Sequence, residues 1–149
     1  MHRLSGRCHC GSIRVELELA RSPESYHPRA CDCEFCRKHA AAWTSDPEGS
    51  LRIHIADGAR AATYRQGSGL AELIFCGNCG ILVCALHRSD GSLHAAVNAR
   101  VFAGGAGFGS EQTVSPKTLS DGEKLERWRK IWFSNVRIIT GGDPPASPE

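Results

Sequence analysis

No stretch of this chain is apolar for long enough to cross a membrane as a helix. The longest uninterrupted apolar run is Ile81-Leu82-Val83-Cys84-Ala85-Leu86, against the ~20 residues a spanning helix needs. The opening residues, Met1 to Arg7, hold no apolar segment of the kind a secretory leader carries. A soluble, cytoplasmic protein with no membrane partner is the expectation. Charge of one sign is also missing: 18 Lys and Arg stand against 16 Asp and Glu, a formal net charge of +2. Nucleic-acid binders carry a strong basic excess or stripe, so no nucleic-acid partner is expected. There is no internal repeat of solenoid period. The glycine-rich segment Phe102 to Gly109 does not fit G-x-G-x-x-G and precedes no clear helix, which argues against a phosphate loop.

What the chain does have is cysteine, eight in 149 residues. In a reducing compartment that number points to metal or catalysis rather than to a disulfide framework. Hydrophobic content of 41% and charged content of 23% are ordinary for a globular protein. The length suits one domain with a real core. That domain is expected over residues 1–140, with Gly141 to Glu149 and its three prolines as a frayed tail.

Short strands dominate the pattern. Ser12 to Leu19 alternates Ile13, Val15, Leu17 and Leu19 against Arg14, Glu16 and Glu18, a half-buried strand. Leu51 to Ile55 repeats the alternation. Asp57-Gly58 reads as a turn, Ala61 to Gln66 and Ala71 to Phe75 as strands, and Ile81 to Leu86 and Leu93 to Val97 complete the set. Gly6 to Gly11 reads as a loop carrying two cysteines, and Glu34 to Ala42 as a short helix. Ser120 to Glu123 fits a capping box. It opens a helix through Trp132 with Leu125, Trp128 and Trp132 on one face, and Val136 to Ile139 follows as a last strand. The fold class is β-dominated: a small, sandwich-like domain with a C-terminal helix.

The thiols sort into four groups: Cys8/Cys10, Cys31/Cys33/Cys36, Cys76/Cys79, and Cys84 alone. A C-x-x-C between strands, with Gly77 and Gly80 to shape the loop, puts two sulfurs on one tetrahedral ion. It needs a second pair, and Cys8/Cys10 at a strand edge can supply it. That closed four-cysteine site would join the two ends of the sheet. Cys84, inside the apolar run, reads as core filler. Cys31, Cys33 and Cys36 remain, with three sulfurs in six residues and no fourth cysteine. Three ligands with a free position mark a reactive zinc site, whereas His39 closing the set would make it structural. Spacing alone leaves the two equal. Arg37 and Lys38 follow directly, either as counter-charge to the thiolates or as a solvated pair.

With the cysteines placed, the chain resembles the glutathione-dependent formaldehyde-activating enzymes, the family that includes centromere protein V. The residues that carry the resemblance are Cys8-His9-Cys10-Gly11-Ser12-Ile13-Arg14, Cys31-Asp32-Cys33-Glu34-Phe35-Cys36-Arg37-Lys38 and Phe75-Cys76-Gly77-Asn78-Cys79-Gly80. Tyr64 and Val97-Asn98 fall where the family has comparable segments. The likeness spans roughly residues 6 to 100; past Asn98 the tryptophan-bearing helix departs from the family's usual ending. The resemblance implies a β-rich fold shared with Rab-associated zinc proteins. It also implies a structural zinc on Cys8, Cys10, Cys76 and Cys79, and a catalytic zinc on Cys31, Cys33 and Cys36. The implied activity is that of a carbon–sulfur lyase, joining glutathione's thiol to formaldehyde or releasing it. The implied partners are therefore a small thiol and an aldehyde, and a homo-oligomer is compatible with this. The alternative is a non-catalytic two-zinc scaffold. It would bind a macromolecule through the Trp128/Trp132 face and the neighbouring Lys124, Arg127, Arg129 and Lys130, although Glu123 and Glu126 interleave those charges.

Overall fold

In the computed structural model, which describes residues 1–56 and 61–141, the strands assemble into two mixed sheets. The first has four strands in the order β1 (His2–Arg7), β2 (Ile13–Leu19), β5 (Ser50–Ile55) and β11 (Asn135–Thr140). The second has seven. Its order is β10 (Gln112–Val114), β3 (Arg29–Cys31), β4 (Trp43–Thr44), β9 (Ser92–Asn98), β8 (Leu82–Ser89), β7 (Glu72–Cys76) and β6 (Ala61–Tyr64). Pairing is antiparallel except for β3/β10 and β5/β11. Two α-helices among the described residues complete the fold, α1 (Glu34–Lys38) and α2 (Asp121–Ile131). No helix among the described residues is long and apolar enough to span a membrane.

The alternation in β2 and β5 does what its period requires. Ile13, Val15, Leu17, Leu19, Leu51 and Ile53 are all essentially inaccessible and form one wall of the main core. The seven-stranded sheet behaves differently, because it is covered on both faces. Cys84, Leu86, Ala95 and Val97 face the main core. Ala85, Leu73, Leu82 and Ala96 face a second cluster made by Trp43, Trp128 and Trp132. This explains the unbroken apolar run over β8: a strand buried on both sides has no solvent face to mark with polar residues. Cys84 is a buried core filler, and burial, with a smaller push from Glu72, raises its pKa to about 12.

Several boundaries differ from the sequence reading, each for a local reason. Gly6 lies inside β1 rather than in a loop. A Cβ there would sit 2.8 Å from the Phe102 ring, so the strand needs glycine to let that ring approach. Helix α1 stops at Lys38, four residues earlier than the composition suggests. His39 caps it and Ala40 turns left-handed (φ 49°), with Ala41 N–H donating to Cys36 O at 3.0 Å and Ala40 N–H to Arg37 O at 3.1 Å. That is a Schellman stop built without glycine. Helix α2 begins on the expected capping box, Ser120 with Glu123, and Trp132 is its C-cap rather than its last turn. Strands β3, β4 and β10 are too short to carry a period and were not legible in the sequence. The turn read at Asp57-Gly58 and the tail from residue 142 lie outside the described residues.

Candidate metal centres

Cys8 follows β1 in the tight turn to β2, and Cys76 ends β7 with Cys79 in the turn to β8. Both turns wrap a sulfur in backbone donors. Ile13 N–H points at Cys8 Sγ (3.3 Å) and Cys79 N–H at Cys76 Sγ (3.4 Å). Gly80, with φ of 80°, supplies the left-handed residue of the second turn, and Gly77 is not in that region. The four sulfurs gather within 4.8 Å of one another, with Cys8–Cys10 at 3.7 Å and Cys10–Cys76 at 3.5 Å. A tetrahedron of Zn–S bonds of ~2.3 Å has edges of ~3.8 Å, so the donor set fits a zinc-sized ion. Burial pushes Cys8 up to about 12, while hydrogen bonds with Asn78 and then Ser12 hold Cys10 down at about 5. Sulfurs this close share protons unequally, and the same crowding favours a divalent cation in their place. The cluster was expected to join two ends of one sheet. It joins two sheets, since Cys8 and Cys10 belong to the four-stranded one and Cys76 and Cys79 to the seven-stranded one.

The second cluster is Cys31, Cys33 and Cys36, and their sulfurs also lie within 4.8 Å of one another. Cys31 ends β3, Cys33 is the N-cap of α1, and Cys36 sits in its first turn. The Cys33 thiol accepts from Cys36 N–H at 3.4 Å, so the residue that caps the helix also aims its sulfur at the cluster. Cys36 is buried and receives the Trp43 indole N–H at 3.5 Å. Sharing a proton with Cys36 lowers Cys31 to about 6 and raises Cys36 correspondingly.

His39 is not part of this group. The early helix stop turns it outward, where its exposed ring packs 4.7 Å from Phe35 and 5.4 Å from Phe75. Among the described residues no fourth His, Cys, Asp or Glu joins the three sulfurs. They open instead on a cavity of about 310 Å³. The two basic residues after Cys36 do not reach it either: Arg37 is exposed, and Lys38 pairs with Glu34 at 3.4 Å on the surface. The cations that line the cavity are Arg29, Lys117, Lys124 and Arg127. Arg29 is two residues before Cys31 on β3 and so shares its face, a period-two signal lost with the unrecognised strand. Lys124 and Arg127 lie on α2 beside Trp128, a face that reads from sequence as plain helix surface.

Trp128 and Trp132 stack at 4.5 Å with their planes 15° apart, and both are buried. They are core on one side and cavity wall on the other. The aromatic face on which a scaffold reading relied is therefore turned inward.

Fold and site together define a class: a mostly β protein with one cysteine cluster between its sheets and a second, three-cysteine cluster at a cavity. Comparison gives the family. The model of the glutathione-dependent formaldehyde-activating enzymes matches residues 3–120, and the chain belongs to that family. The match runs beyond the motif-bearing region at both ends and stops one residue before α2. A crystal structure of a Rhodobacter sphaeroides protein, a structural genomics target, is 28% identical. The likeness covers 79% of this chain and 96% of that one, with a TM-score of 0.51. No curated protein matches the chain.

Proposed function

We propose that the chain is a zinc-dependent enzyme of carbon–sulfur lyase type, which activates a glutathione-like thiol for addition to a small aldehyde such as formaldehyde, or for its release. The observation that carries this reading is the open side of the second cluster. Cys31, Cys33 and Cys36 converge without a fourth side chain, and the free side faces a cavity. In the addition the thiol sulfur bonds to the carbonyl carbon, the carbonyl π bond opens, and the proton leaving sulfur ends on oxygen. The reverse breaks the same carbon–sulfur bond. Cys31, Cys33 and Cys36 would hold the catalytic zinc, and Cys8, Cys10, Cys76 and Cys79 the structural one. A bound zinc supplies the charge that keeps a thiol cosubstrate deprotonated near neutral pH.

The chain's own residues do the rest. Trp43 donates to Cys36 and draws off part of that thiolate's charge. Arg127 lies near enough to Cys31 to feel its charge, which suits a site crowded with anionic sulfur. Trp128, Trp132 and Leu73 keep the cavity walls apolar, which limits water around the reacting thiol. NMR exchange spectroscopy of glutathione and formaldehyde tests the activity. Zinc-loaded protein should speed exchange well above buffer, and no acceleration would sink this reaction.

A further inference from the structure

Among the described residues, three of the cations that face the cavity have no carboxylate partner. Arg29 enters from β3, and Lys124 and Arg127 enter from α2. Lys117, the fourth, is already paired with Asp32 at 3.7 Å. Among the described residues no carboxylate lies within ion-pair distance of the other three. Arg29 is also fixed in place. Its Nη2 donates to Ser45 Oγ at 2.7 Å, and Ser45 donates to the Ile131 carbonyl at 2.6 Å, at the C-terminal end of the helix that carries Arg127. The two guanidinium groups line the same cavity, so their like charges oppose each other. Partly buried like charges with no anion between them are costly, and a bound anion removes that cost.

The geometry points to an anion subsite in which Arg29 and Arg127 grip the carboxylate of a ligand whose apolar body lies along Trp128 and Trp132. The ligand's other end reaches Cys31, Cys33 and Cys36, and that part alone rests on the thiol-activating reading. Planar guanidinium forks suit a carboxylate, which accepts two N–H donors at once. Charge balance agrees. A divalent ion on three thiolates leaves one negative charge, and the three unpaired cations outweigh it by two. A ligand bearing a thiolate and a carboxylate brings two negative charges. The largely apolar walls favour a carbon chain or ring between those ends. Helix α2, which carries Arg127 and Lys124, lies beyond the residues 3–120 that the family model matches.

Trp43, Trp128 and Trp132 are the chain's three tryptophans and all line the cavity, so intrinsic fluorescence reports its occupation directly. The test titrates zinc-loaded full-length protein with 6-mercaptohexanoate, with 6-mercaptohexan-1-ol and with hexanoate. The mercaptocarboxylate should bind about tenfold or more tighter than the alcohol, the usual worth of a charge-assisted contact. Arg127→Gln should abolish the difference between the acid and the alcohol. Arg127 makes no hydrogen bond to lose among the described residues, so this variant stands even where Arg29→Gln fails to fold. Equal binding of acid and alcohol by the native protein, or discrimination that survives in Arg127→Gln, overturns the subsite. The two readings fail separately. Hexanoate binding that depends on Arg127, with no gain from the thiol, keeps the subsite and removes thiol activation.

Discussion

Cys10 and Cys76 stand 66 residues apart in the chain, yet their sulfurs lie 3.5 Å from each other, one from each sheet. The four-cysteine cluster is thus a clasp between layers, set where both sheets end in tight turns. An ion bound there would stabilise the packing of the two sheets rather than either sheet alone.

Replacing Cys76 by Ser should therefore cost the whole fold. A structural zinc contributes on the order of 10 kcal/mol or more, as much as a domain's entire stability. Circular dichroism of Cys76→Ser should show no cooperative melt. A native-like melting temperature would mean that the clasp is dispensable.

Cys33→Ala should behave oppositely, losing one metal per chain while the other stays bound. The lost helix cap costs about 1 kcal/mol, which the fold tolerates. His39→Ala should keep two metals per chain, because His39 packs on Phe35 and Phe75 instead of facing the sulfurs. Elemental analysis of the purified variants measures both, and one metal in His39→Ala would revive the closed site.

Truncating Trp128 removes one wall shared by core and cavity. Trp128→Ala should lower stability by roughly 3–5 kcal/mol, as large-to-small changes at buried aromatics do. Urea denaturation reads this, and a loss under about 1 kcal/mol would show that the helix packs loosely.

Asp46 makes stability depend on acid. Burial alone would raise its pKa, but three donors prevail: Ala20 N–H (2.8 Å), Tyr26 O–H (2.6 Å) and Glu48 N–H (2.9 Å), so the folded value lies below 3.8. A depressed carboxylate contributes stability that is complete well above its unfolded pKa and is lost as pH falls through the folded one. Asp46→Asn should cost about 1–3 kcal/mol at pH 7, and its gap to the native protein should narrow below about pH 4. A constant gap from pH 7 to pH 3 would contradict this.

The strands that alternate over five residues or more were legible because one face meets oil and the other water. The cysteine groups were legible because ligand spacing within a turn is local, and so was α2, because its capping box is local. Strands of two or three residues were not, and neither was Arg29, whose place beside Cys31 depends on one of them. The expected helix through Ala42 failed because a Schellman stop needs a left-handed residue, and here alanine takes that position without announcing it.

The sequence by itself determined that Cys31, Cys33 and Cys36 form one cluster and that Cys76 and Cys79 need a partner pair. Six-residue spacing leaves the sulfurs little choice. Only the tertiary structure decided that His39 points away, that Arg37 and Lys38 stay in solvent, and that cations from β3 and α2 face the cavity instead. Those outcomes turn on where one short helix ends and on which sheet face a distant helix covers. Both are set by packing across the chain, which no local spacing encodes.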